Sequence, residues 1–86
     1  MNENKATIGE KIKKYRLRSG KSQLQLELDI GASTGSISRI ENGAVNPAKE
    51  TLSKITNFLK LRPQEILDLL DIIIYSPKSL VRFQSR

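Results

Sequence analysis

The 86-residue sequence contains no cysteine and no histidine. Disulfide and zinc-thiolate staples are therefore excluded, and the commonest metal ligand and general base is missing. The first residues, MNENKATIGEKIKK, lack the apolar stretch of about 7 to 15 residues that a secretory leader needs, and nothing approaches a roughly 18-residue membrane span. The expectation is a cytoplasmic protein with no metal, no cofactor and no membrane partner. Repeats and low-complexity tracts are absent as well. A chain of this length forms one small domain that buries about 60 to 65 % of its unfolded surface, which leaves little room for a large enclosed cleft.

What the chain does have is positive charge, +6 net, unevenly spread. Residues 1–21 hold Lys5, Lys11, Lys13, Lys14, Arg16, Arg18 and Lys21 against Glu3 and Glu10, whereas residues 22–60 balance. Such a field favours a polyanionic partner, nucleic acid first, or else serves only as a solvated basic surface. The carboxylates Glu10, Glu27, Asp29, Glu50, Glu65, Asp68 and Asp71 are scattered, so no paired catalytic site is expected.

Helical spacing dominates. Thr7 followed by Glu10 is a capping box, and Ile8, Ile12 and Tyr15, with Leu17 as a further candidate, predict a helix over 8–18 that stops at Ser19-Gly20. In TLSKITNFLKL, Leu52, Ile55, Phe58 and Leu59 share a face, and Pro63 suits the first position of a later helix containing Ile66, Leu67 and Leu70. The intervening stretch, SQLQLELDIGASTGSISRIENG over 22–43, is harder. Its alternating leucines suggest a strand, but at 100° per residue Leu26 and Ile30 fall together, while Leu24 and Leu28 point away. Ser22 can cap that helix and Gly31 can end it; Ser33 can cap another over 33–42, with Ile37 and Ile40 inward. GASTGS lacks the Lys-Ser/Thr ending of a phosphate loop, and Asn42-Gly43 is not followed by a pairing strand. The expectation is all-α, a compact five-helix domain over 7–71, after a disordered arm over 1–6 and before an apolar extension and tail over 72–86.

The ordered series IGEKIKKYRLRSG, SQ, LDIGAS, SISRIENG, NP and ETLSKI resembles the Cro/C1-type helix-turn-helix family of bacterial and phage regulators across residues 8–67. The resemblance implies a lambda-repressor-like domain that binds double-stranded operator DNA, usually as a homodimer, with its third helix in the major groove. It puts Thr34, Gly35, Ser36 and Arg39 at base-facing positions, Arg39 taking guanine or else a phosphate. It puts Ser22, Gln23, Asn42, Gly43 and Lys49 at phosphate-facing positions, although Gln23 has the bland reading of a surface glutamine and Asn42 that of a turn residue. It also pairs Arg16 with Glu41 in a structural salt bridge.

Three departures stand out. Gly35 can read no base directly. Glu27 replaces the small alanine common where helices 2 and 3 pack, so its carboxylate is expected to escape to solvent or find a cation, spreading the helices slightly. Leu24 and Leu28 form an apolar pair on a side that ought to be wet, and either the tail folds over them or one meets a partner. Leu69, Ile72, Ile73, Ile74 and Tyr75 are the candidate dimerisation segment. The leading expectation is a sequence-specific regulator, a repressor, and no enzyme. The alternatives are an antitoxin with a toxin on its Leu/Ile surface, a controller of a restriction-modification operon, and an adaptor that keeps only the fold.

Overall fold

The structure, a computed structural model, describes residues 6–74, with side chains through residue 70. These residues form five α-helices and no sheet: α1 Ile8–Arg18, α2 Gln23–Ile30, α3 Ser36–Glu41, α4 Lys49–Phe58 and α5 Pro63–Ile74. The start of α1 is fixed by the reciprocal capping box, in which the Thr7 N–H donates to Glu10 Oε1 at 3.0 Å and the Glu10 N–H to Thr7 Oγ1 at 3.1 Å. Ser22 begins α2 in the same manner, its Oγ accepting from the Gln25 N–H at 3.0 Å. At the other end Gly31, at φ 71°, lets the chain reverse: its N–H is shared between the Glu27 and Leu28 carbonyls, and the Ala32 N–H also bonds the Glu27 carbonyl. The Leu28 carbonyl at the helix end thereby gains a partner.

One side chain from each helix is buried with essentially no exposure, namely Ile12, Leu26, Ile37, Ile55 and Leu69. Ile8, Tyr15, Ile30, Ile40, Leu52, Leu59 and Leu61 complete the core around them. Burying each large aliphatic side chain contributes about 1.5 to 3 kcal/mol, so the short α3 is held by Ile37 and Ile40 rather than by its own propensity. Gly9 lets α1 and α3 approach, because a Cβ there would collide with the Ile40 carbonyl oxygen and stand 3.0 Å from that of Glu41.

Several expectations need correction. Helix α3 begins at Ser36, three residues later than Ser33 suggests, and Ser33 contributes its carbonyl to the Ser36 N–H and Oγ rather than a side-chain cap. Leu17 and Phe58 are exposed, as is Leu67 on α5. Leu69 takes the core position instead; at 0 % exposure it has no surface to offer a dimer. Ile72, Ile73 and Ile74 end α5, but their side chains and the whole of Tyr75 lie outside the described residues, as does the tail that is the alternative cover for Leu24 and Leu28. Among the described residues, no helix is long and apolar enough to cross a membrane.

Candidate nucleic-acid interface

The ion pair between Arg16 and Glu41 organises the end of α3. Arg16 Nε donates to Glu41 Oε2 at 2.6 Å and Nη2 to Oε1 at 3.0 Å, both groups being buried. The third arm of the guanidinium, Nη1, donates to the Lys21 carbonyl at 2.8 Å, so one side chain joins α1, the following turn and α3. Gln23 adds the fourth connection, its Nε2 donating to Glu41 Oε1 at 2.9 Å. One N–H of the Gln23 amide thus serves as a brace, which places Ser22 and Gln23, at the start of α2, beside the end of α3 and its neighbours Asn42 and Gly43.

Glu27 neither escapes to solvent nor finds a cation. It is buried, and its Oε2 accepts the N–H groups of Gly35 and Ile37, each at 3.0 Å. A carboxylate from α2 thereby caps α3, replacing the water it loses with two charge-assisted hydrogen bonds at the positive end of a helix. Gly35 stands just before α3 at φ 91°, in the left-handed region that disfavours side chains. Backbone geometry accounts for a glycine at this position independently of any contact with DNA.

Around these anchors, Thr34 and Arg39 are exposed, and Ser36 and Ser38 half-buried. Arg39 Nη1 lies over Gly35, 3.3 Å from where a Cβ would be. Asn42 and Gly43 are exposed beyond α3, and the Ser22 hydroxyl, although it caps α2, keeps its own proton to donate. Lys49, exposed at the start of α4, is joined to this group by no hydrogen bond among the described residues.

The basic N-terminal third is not the free positive surface its composition suggests. Lys11 and Lys14 reach Asp68 at 3.1 and 3.7 Å, Arg18 reaches Glu65 at 2.6 Å, Lys21 reaches Asp29 at 2.7 Å, and Arg16 is held by Glu41. Lys13 on α1, Arg39 on α3, Lys49 and Lys54 on α4, and Lys60 and Arg62 after it are exposed cations with no such partner among the described residues, so positive charge stands open on α3 and α4 as well as at Lys13.

The paired charges of α1 fasten it to α5. Tyr15 Oη donates to Asp68 Oδ2 at 2.6 Å, while Lys14 and Arg18 lie 4.7 and 4.9 Å from the centre of its ring. Burial first, then the hydrogen bond to Asp68, pushes the Tyr15 phenol up to about 12. The Tyr15 hydroxyl and then the Lys11 ammonium hold Asp68 below its ordinary value, and Arg18 with the Arg62 N–H lowers Glu65 to about 2. Sequence reasoning missed this latch and the Glu27 cap, since both depend on partners distant along the chain. Gly9 was more accessible: it shares the i, i+3, i+7 stripe of α1 with Ile12 and Arg16.

Among the described residues, no group of His, Cys, Asp and Glu is arranged to hold a metal ion. A protein-family model described as helix-turn-helix matches residues 12–66, well over half of the chain. Comparisons with curated proteins and with solved structures give no match.

Proposed function

The chain belongs to the helix-turn-helix family of the Cro/C1 type and is a DNA-binding transcriptional regulator, not an enzyme; from that premise we propose that it is a repressor that reads a two-fold operator with α3. The observation that carries this reading is the construction of α3 itself. Its apolar side is anchored by Ile37 and Ile40, its end is clamped by Arg16 and Glu41, and its outer side presents Arg39 beside Thr34 and Ser36. In the major groove, the donor fork of Arg39 suits guanine O6 and N7, while Ser22, Gln23, Asn42, Gly43 and Lys49 serve the flanking phosphates. One N–H of the Gln23 amide is engaged by Glu41, and the second remains a donor for a phosphate, so the side chain can hold α2 against α3 and contact the backbone together.

Pairing of two chains puts two copies of α3 in successive major grooves about 34 Å apart. The segment assigned to pairing narrows to Ile72, Ile73, Ile74 and Tyr75, since Leu69 is core. A second reading, an antitoxin that binds its operator while a toxin covers an apolar face, is favoured by Leu24 and Leu28, 54 % and 72 % exposed on α2. Co-purification of a stable heterocomplex from the native host separates it from the repressor.

The residue-level test compares two cations. Arg39→Ala costs about 1 to 3 kcal/mol on the preferred duplex and much less on scrambled ones, whereas Lys49→Ala weakens all duplexes alike. Equal losses on matched and scrambled duplexes for Arg39→Ala would make it a phosphate ligand.

A further inference from the structure

We propose that Glu27, which touches no DNA in the reading above, is a specificity-determining positioning residue, its carboxylate setting where the recognition helix begins and thereby which groups α3 presents to the bases. The inference rests on the DNA-binding reading of α3 and adds to it a residue on a different helix.

Helix α3 is six residues long, too short to define its own start by propensity. Its N-cap, Gly35, has no side chain with which to cap it, and the Ser33 hydroxyl caps nothing. The carboxylate of Glu27 takes that part from outside, binding the amides on either side of Ser36. Ile37 is buried, so its N–H would lie unpaired without Glu27.

Two features make the start conditional on that carboxylate. Residues 33–36 form a tight turn, with the Ser36 N–H and Oγ both on the Ser33 carbonyl at 3.1 and 2.7 Å, and Gly35 in the left-handed region. Gly35 also passes its carbonyl to the Arg39 N–H at 3.1 Å and leaves open the space over which Arg39 Nη1 lies. Glu27, Gly35 and Arg39 are therefore one unit: the carboxylate holds the turn, the turn requires glycine, and the glycine gives the arginine its path. Without the carboxylate, Ser33 has the local chemistry to cap an earlier helix start, which would rotate Thr34 and Ser36 and draw Arg39 along a different course.

The test is selection from a randomised duplex library with the wild type, Glu27→Gln and Glu27→Ala, together with amide hydrogen exchange at Gly35 and Ile37. Glu27→Gln keeps an oxygen that can accept both amides and retains the wild-type preference. Glu27→Ala loses protection at both amides and changes the ratio of affinities between the wild-type site and its single-base variants by about tenfold at one position or more. Its salt dependence stays that of the wild type, because the phosphate contacts are untouched. An Ala variant that enriches the wild-type sequence, weakened uniformly or not at all, overturns the inference. Should Glu27→Ala not fold, Glu27→Asp, one methylene short of the two amides, must show the altered preference, and an unaltered one overturns the inference equally. A wild type that enriches no sequence refutes the DNA reading itself, and so differs from a failure of the positioning role alone.

Discussion

Truncating Arg16 to alanine removes three hydrogen bonds at once, those to both oxygens of Glu41 and to the Lys21 carbonyl. Glu41 is left buried as an anion whose remaining side-chain donor is Gln23, at 2.9 Å. Removing one partner of a buried ion pair costs about 3 to 5 kcal/mol. Small domains have only about 5 to 15 kcal/mol in total. For a chain of this size Tm moves by about 4 to 8 °C per kcal/mol, so Arg16→Ala melts about 12 °C or more below the wild type. The double variant Arg16→Met with Glu41→Leu buries no charge and recovers most of that loss, since water can reach the half-buried Gln23 amide. Thermal melts and urea titrations of the three proteins measure the effect directly. DNA binding by Arg16→Ala returns when the assay is run below its own Tm. A single variant melting within about 3 °C of the wild type would refute the reasoning, because a buried, uncompensated carboxylate cannot be that cheap.

The α1–α5 latch makes stability depend on pH. Asp68 and Glu65 have folded-state values below their unfolded ones, so their contribution is present above the ordinary carboxylate range near 4 and is lost as pH falls through the folded values, that of Glu65 being about 2. Tm against pH for the wild type and Asp68→Asn therefore converges in acid and separates toward neutrality; parallel curves would contradict the assignment. Lys60 follows α4 at φ 55°, a left-handed position that costs a side-chain-bearing residue about 1 to 2 kcal/mol, so Lys60→Gly raises Tm, and a lower Tm would show that the lysine has an unseen stabilising contact. Sedimentation of the wild type is expected to show a dimer and that of Ile73→Asp a folded monomer with weaker operator binding. A wild type still monomeric at roughly 100 µM would remove a strong DNA-independent interface, though not pairing induced by the operator.

Where a helix boundary is written in neighbouring residues, the sequence alone locates it. The capping box of Thr7 and Glu10 marks the start of α1, and Ser22 and Gly31 bracket α2 to the residue. The start of α3 is not written that way. Ser33 is the better local cap, but a carboxylate on the preceding helix, eight residues from Gly35, outcompetes it. The same distinction explains the charges. The basic residues of α1 look free because their partners, Glu65 and Asp68, lie 47 and 57 residues further along the chain from Arg18 and Lys11. Apolar periodicity also fails at the margins of a face: Phe58 and Leu67 fit their wheels yet face water, while Leu69 supplies the fully buried contact. The base-facing and phosphate-facing positions come from family resemblance. What the fold adds is their surroundings: a Gln23 amide with one N–H already engaged, a Gly35 required by its backbone, and an Arg39 with no acidic partner among the described residues.

Selection of the purified 86-residue chain against a randomised duplex library, followed by titration of the enriched duplex at several salt concentrations, tests the central claim most directly. The account predicts one enriched pseudopalindrome with half-site centres about 10 base pairs apart, and an affinity that falls steeply with salt. A library that emerges unenriched, with no salt-sensitive binding to any duplex, would contradict it.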